Sequence, residues 1–426
     1  QQQMSTIRAL LASRKGGPLI LDAGMGTGLG RLGLSEKQCW TAGYRTDDAQ
    51  VREAVLAVHR GFLRAGCDVL TANTYNVSKV NAQSVLGLGT AEAAAHEERC
   101  IKASIDLARS AIATHAHETG RAFEGVLFAS LGCFGTTILG RGETANRLHS
   151  DDEQALRVPG YGVPQATLED FHRTRAASAI AAGVRSLAFE TVPDLHEARA
   201  IAAVLAELQP TTPGLEALVM FTCRDAEHVD NGDRFDACCE ALAQCEPVVA
   251  VGLNCTEPRL VPALLAAAAR AAPGKPLIAK PNSGEAYDMR ERAAKTLPTS
   301  KVVTNWQPAA GGAISAAEFG DMARHWHAAC GAALVGGCCR VGHEEIAAIA
   351  AACAECDPPS DADPPAPPGA PAGQVHTCGP VSDAERAASR LVRGPPPAHG
   401  TLDAEGRARP ATRSTACCGA ARPTRA

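Results

Sequence analysis

The chain has 426 residues, room for one large domain or two ordinary ones. Its net charge of −5, with 20% charged residues, offers no basic surface for nucleic acid or an anionic membrane, and no apolar run reaches the ~18–20 residues of a membrane span. Seventeen cysteines, an odd number with several adjacent pairs inside apolar segments, do not make the spaced framework of a small secreted domain, so they read as mostly buried, reduced thiols of a cytoplasmic protein.

Residues 1–18 read as an N-terminal extension. They carry three basic residues and no acid, faintly like a transit peptide, but the first strand pattern begins at Leu19 and Met4 reads as the natural start. Residues 18–23 (PLILDA) are a short apolar run ending in an acid, followed by the turn-like GMGTGLG. Residues 46–66 have helical spacing, and 67–74 (CDVLTANT) form the next apolar run. An alanine-rich helix over 91–115 leads to a third strand, 125–132 (GVLFASLG). After a long connection over 133–167 come a helix (168–183), a fourth strand (185–191, RSLAFET) and a helix over 194–208 with Asp194 near its start, where an acid suits the dipole. A fifth strand (216–223), a helix (234–245), a sixth strand (248–255, VVAVGLNC) and a helix (258–272) follow. The seventh strand is 275–284 (KPLIAKPNSG), the next helix 316–331, the eighth strand 333–339 and the closing helix 343–353.

Short apolar runs without clean alternation are the pattern of strands covered on both faces. Eight of them, each followed by a segment that can be helical, predict an α/β fold, a (β/α)₈ TIM barrel spanning residues 19–356 with extra length in the third connection. A doubly wound open sheet is the alternative, since strand order is not visible in sequence. From Asp357 the text turns to Pro, Ala, Gly and Arg, which cannot bury enough apolar surface to order itself, and 357–426 is expected to be a disordered tail.

In such a barrel the active site sits at the C-terminal ends of the strands. Those ends carry Asp22, Asn73, Thr74, Glu190, Asn254, Cys255, Asn282, Ser283, Cys338 and Cys339, whereas the strand bodies stay apolar. Cys255 closes the sixth strand, and Cys338–Cys339 close the eighth after Gly336–Gly337. Three thiolates converging on one mouth, with a fourth position open, are the donor set of a catalytic Zn²⁺ site, whereas structural sites fill all four positions. The remaining cysteines suit packing. Cys353–Cys356 has no second pair to complete a site, Cys417–Cys418 lie in the tail, and Cys238–Cys239 fall in a helix.

The segments LDAGMGTGL, DVLTANTY, FETVPDLHEA, VGLNC, KPNSGEAYD and LVGGCCRVGHEEI stand in the order of the homocysteine S-methyltransferase family, which the chain resembles from about Leu19 to Ala352. The resemblance implies a zinc ion on Cys255, Cys338 and Cys339, with Asp22 and Glu190 holding the amino-acid substrate. Asn73, Thr74, Asn254, Asn282 and Ser283 complete the candidate substrate-binding set, or satisfy backbone groups at the same strand ends. The implied reaction moves a methyl group from a sulfonium donor, S-methylmethionine or S-adenosylmethionine, to homocysteine, giving methionine. Selenocysteine as acceptor, betaine as donor and a non-catalytic zinc-binding barrel are the alternatives. The homocysteine module of a cobalamin-dependent synthase is disfavoured, as no further folded domain is expected. Small molecules are the expected partners, with a homo-oligomer possible. Two departures stand out: Val341-Gly342-His343 follows GGCCR where the family has Thr-Thr-Pro, and 139–165 keeps only a PGYGVP remnant of the loop expected to cover the substrate.

Overall fold

The computed structural model describes residues 6–14, 16–138, 159–287, 306–307 and 314–354. In chain order the elements are α1 (Ile7–Ser13), β1 (Leu19–Ile20), α2 (Met25–Arg31), α3 (Glu36–Thr41), α4 (Ala49–Arg64), β2 (Val69–Ala72), α5 (Lys79–Leu86), α6 (Thr90–Thr119), β3 (Val126–Gly132) and α7 (Gly135–Ile138). They continue as α8 (Gln165–Ala181), β4 (Ser186–Val192), α9 (Leu195–Leu208), β5 (Glu216–Phe221), α10 (Phe235–Ala243), β6 (Val248–Asn254), α11 (Val261–Ala271), β7 (Leu277–Lys280), α12 (Ala316–Ala328), β8 (Ala332–Val335) and α13 (His343–Ala354). A two-residue antiparallel ladder, Ala286–Tyr287 with Trp306–Gln307, lies between β7 and α12.

The eight strands are parallel and pair in the order β1-β8-β7-β6-β5-β4-β3-β2. The Leu21–Val69 bridge joins β1 to β2, with Asp22 N–H donating to the Val69 carbonyl at 3.1 Å, so the sheet closes into the expected barrel. The open-sheet alternative is thereby excluded.

Side chains divide by the period of two that a strand imposes. Leu19, Leu21, Val69, Val126, Phe128, Leu218, Met220, Ile278 and Leu334 fill the lumen as one apolar cluster. Their neighbours Ile20, Leu70, Leu127, Leu187, Phe189, Val219, Leu253 and Val335 point outward into a larger cluster shared with the helices. Both faces are thus buried, which is why the strands read as unbroken apolar runs. Helix starts follow local chemistry: Asp48, Ser78, Asp194 and Ser315 cap α4, α5, α9 and α12 through their side-chain oxygens.

Among the helices absent from the sequence reading are α1 and α2. Residues 7–13 of the N-terminal extension form α1, whose fully buried Ile7 joins the lumen cluster. Its first amides, Ile7 N–H and Arg8 N–H, donate to the Glu216 carboxylate at the start of β5 at 2.7 and 3.3 Å, satisfying otherwise unpaired helix-terminal donors. GMGTGLG is not a simple turn. It carries the helix α2 in spite of three glycines, of which close packing demands one: a Cβ on Gly28 would stand 2.7 Å from the Val58 methyls, whereas Gly26 and Gly30 have open space around them. The expected tail at 357–426 and residues 139–158 of the third connection lie outside the described residues. Among the described residues no helix is long and apolar enough to cross a membrane.

Candidate metal and amino-acid site

The three cysteines meet at the C-terminal mouth of the barrel. Their sulfurs lie within 4.8 Å of one another, and Cys255 Sγ is 3.8 Å from Cys339 Sγ. Sulfurs placed tetrahedrally ~2.3 Å from one ion stand ~3.8 Å apart, so the spacing suits a thiolate-bound metal. Cys255 and Cys338 are buried and Cys339 is partly exposed, leaving one side of the cluster open. Hydrogen bonds from the Cys255 and Cys339 thiols hold Cys338 well below the usual thiol range; burial opposes this, and the Lys280 ammonium and Asn254 amide reinforce it.

The loop after β7 fixes the cysteine turn. Cys338 N–H donates to the Pro281 carbonyl (2.7 Å), Cys339 N–H to Asn282 Oδ1 (3.0 Å), and Ser283 N–H to the Cys339 carbonyl (3.1 Å). From β1, Gly24 N–H donates to the Cys338 carbonyl at 3.2 Å, an approach that only a residue without Cβ permits, since one there would be 2.7 Å from that oxygen. Arg340 is anchored twice, by its N–H to Thr27 Oγ1 (2.8 Å) and its guanidinium to Glu285 (2.9 Å).

Asn254 ties β6 to β4 and to the thiols. Its Oδ1 accepts from Thr191 N–H (2.7 Å), and its Nδ2 donates to Thr191 Oγ1 (2.9 Å) and to Cys338 Sγ (3.7 Å). Thr191, Cys255 and Arg340 all have left-handed backbones, with φ of 63°, 51° and 65°. Such conformations cost of order 1–3 kcal/mol each and persist only where surrounding contacts enforce them.

Beside the thiols lies a buried charge cluster. Lys280 Nζ donates to Glu190 Oε1 at 2.6 Å and stands 3.4 Å from Asp22 Oδ1. Glu190 Oε2 also accepts from the Ser130 hydroxyl, and Asp22 Oδ2 accepts from both the N–H and the hydroxyl of Thr71 at 2.7 Å. Burial raises the Asp22 carboxyl above its ordinary value, against the pull of Lys280 and Thr71. Burial disfavours a charged Lys280, yet Glu190 and Asp22 outweigh it and hold the ammonium above the usual lysine range.

Of the residues singled out in the sequence, Asp22, Glu190, Asn254, Cys255, Asn282, Cys338 and Cys339 thus converge. Asn254 and Asn282 spend their side-chain oxygens on backbone amides, and Ser283 donates its hydroxyl to Glu285 (2.9 Å). Thr74 is fully buried with its hydroxyl on the Ser130 carbonyl (2.7 Å), and Asn73 is partly exposed at the end of β2. Sequence reasoning missed Lys280, Ser130, Thr71, Thr191 and Glu285. A lysine at the end of an apolar run was the one available signal.

A family model described as homocysteine S-methyltransferase matches residues 19–353. The chain belongs to the homocysteine S-methyltransferase family. It is 30% identical over 338 residues to Homocysteine S-methyltransferase YbgG of Bacillus subtilis (strain 168), covering 78% of this chain and 93% of that one. It is 28% identical over 348 residues to Selenocysteine Se-methyltransferase of Brassica oleracea var. italica, covering 80% and 90%. Among solved structures, the metallated form of the homocysteine methyltransferase MmuM from Escherichia coli superposes with a TM-score of 0.62 at 26% identity, covering 81% of this chain and 99% of that one.

The departures from the family text have local explanations. Without the Thr-Thr-Pro cap, Gly342 N–H at the start of α13 is taken by the Glu345 carboxylate at 2.6 Å. Of the third connection, the PGYGVP remnant is anchored where Tyr161 donates to Glu197 Oε2 at 2.9 Å and packs on Phe134. Cys238 and Cys239 are buried in the apolar packing of α10. Cys356, Cys417 and Cys418 lie outside the described residues.

Proposed function

We propose that this protein transfers a methyl group from a sulfonium donor, S-methylmethionine or S-adenosylmethionine, to the thiol of homocysteine, giving methionine. The observation that carries the reading is the meeting of three cysteine sulfurs beside a buried Asp22–Lys280–Glu190 cluster at the barrel mouth.

In this reading Cys255, Cys338 and Cys339 hold zinc. Zinc, when bound, supplies a Lewis acid that lowers the pKa of the acceptor thiol, so a nucleophile is available near neutral pH. The three protein thiolates keep the site electron-rich. Asn254 and the Pro281–Ser283 backbone hold two of them against rotation, so orientation is set before substrate arrives. Asp22, with Glu190 behind Lys280, gives the site the negative charge that attracts an ammonium group. The sulfonium donor carries its own leaving group, so beyond loss of the thiol proton no side-chain acid or base is required. The exposed edge at Cys339 faces the approaching donor. Selenocysteine is a second acceptor under the same chemistry, supported by the 28% identity to the Brassica selenocysteine enzyme. A cytoplasmic location belongs to the same proposal.

The test is metal content of reduced wild type beside Cys338→Ala, with methionine formation assayed from homocysteine and each donor in turn. About one zinc per chain, lost together with turnover in the variant, is the expected result. Zinc without turnover on any donor would make the protein a binding barrel, and its absence from fresh, reduced wild type would remove the metal from the reading.

A further inference from the structure

The two acids expected to clasp the substrate ammonium do not face an empty pocket. Lys280 stands between them, 96% buried, and changes what they can bind. The accounting of donors and acceptors is short. Both Glu190 oxygens are engaged, by Lys280 and by the Ser130 hydroxyl. Asp22 Oδ2 is engaged twice by Thr71, whereas Asp22 Oδ1 has no hydrogen-bond partner among the described residues. A lysine ammonium has three N–H donors, and only one of these meets an acceptor among the described residues. What remains is one unspent carboxylate oxygen and unspent ammonium donors, 3.4 Å apart. Both are buried, where an unmade hydrogen bond is costly. They sit beside the thiols, since Pro281, next to Lys280, accepts from Cys338 N–H at 2.7 Å.

An acceptor and a cationic donor side by side complement a group that carries an ammonium and a carboxylate on neighbouring atoms. We propose that Lys280 and Asp22 together read the zwitterionic head of the acceptor amino acid, Lys280 taking the α-carboxylate and Asp22 Oδ1 the α-ammonium. Glu190 is then a positioning residue that, with Ser130, holds the lysine in place. The inference rests on the thiol-acceptor reading and narrows the acceptor class to free α-amino acids. Thiols bearing only one of the two charges fall outside it.

Equilibrium binding to the reduced, zinc-loaded protein tests it, using L-homocysteine, 3-aminopropane-1-thiol (no carboxylate) and 4-sulfanylbutanoate (no ammonium). Wild type is expected to bind homocysteine about 10–100-fold more tightly than either analogue, the range of one charge-assisted hydrogen bond. Lys280→Met should erase the preference over 3-aminopropane-1-thiol, and Lys280→Arg should keep most of it. Because all three ligands share the thiol, the ratio cancels any change at the cysteines. Should Lys280→Met fold poorly, the paired variant Lys280→Met/Glu190→Gln, which removes the ion pair as a unit, must show the same lost ratio. Equal weakening of homocysteine and 3-aminopropane-1-thiol would reduce Lys280 to a counter-ion and overturn the proposal, as would 4-sulfanylbutanoate binding as tightly as homocysteine. Methyl transfer is assayed separately. Its absence with a Lys280-dependent ratio intact would refute the function and leave this inference standing; transfer without that ratio would do the reverse.

Discussion

Asn254→Asp isolates how much the thiol cluster depends on a residue that is not itself one of the three cysteines. The replacement is nearly isosteric. It keeps the oxygen that accepts from Thr191 N–H at 2.7 Å, but it exchanges the amide donor 3.7 Å from Cys338 Sγ for a carboxylate oxygen. Two unit negative charges at that separation repel by about 4–5 kcal/mol at an effective dielectric constant near 20, which sets a ceiling of roughly 10³-fold on the effect. Residues hydrogen-bonded to metal ligands usually contribute about 10–100-fold to metal affinity, which sets the floor. Zinc affinity is therefore expected to fall by about 10–10³-fold while the protein stays folded, because Thr191 keeps its backbone partner. Competition against a chelator of graded affinity measures the first quantity and a circular-dichroism melt the second. A folded Asn254→Asp protein with zinc affinity within twofold of wild type would refute the reasoning.

Two further predictions concern stability. Ile7→Ala opens a cavity at the N-terminal end of the lumen and should cost about 2–4 kcal/mol in a urea melt, with zinc content unchanged because the thiols lie at the opposite end; a loss below ~0.5 kcal/mol would mean that α1 does not seal the barrel. Burial, together with the nearby Glu197 and Asp233 carboxylates, raises the Asp194 carboxyl from its ordinary 3.8 to about 7, so the folded protein retains a proton there that the unfolded chain releases. This stabilising contribution is complete below about pH 4 and is lost as pH rises through 7, an effect of about 4 kcal/mol at most. Asp194→Asn, which keeps the cap on Glu197 N–H, should therefore gain on wild type at pH 8 relative to pH 5, and parallel pH profiles in urea melts would contradict it.

Much of the architecture was legible in the chain because burial on both faces leaves a plain record. β3 to β6 are buried along their whole length, so each appears as a mostly apolar run, with Glu190 near the end of β4 and Asn254 at the end of β6. The thiols were legible for a related reason. A cysteine ending one such run and a pair ending another have few structural uses, and strand ends of a closed barrel share a mouth. α1 and α2 were hidden, because the first is a short segment whose single buried anchor, Ile7, gives no periodicity, and the second carries three glycines that read as a turn, only Gly28 of them being required by the close approach of Val58.

The chain by itself therefore determined the strand count and which cysteines and acids stand at the strand ends, since each follows from residue type and position along the chain. Whether the sheet closed, and what those acids face, was decided only by tertiary structure. Lys280, Asp22 and Glu190 end β7, β1 and β4 and have no local relation in sequence. Closure of the barrel brings Glu190 and Asp22 within 2.6 and 3.4 Å of the Lys280 ammonium. Charge pairing across strands depends on distance in space, which the order of residues does not record, and here it sets a buried lysine between two strand-end carboxylates.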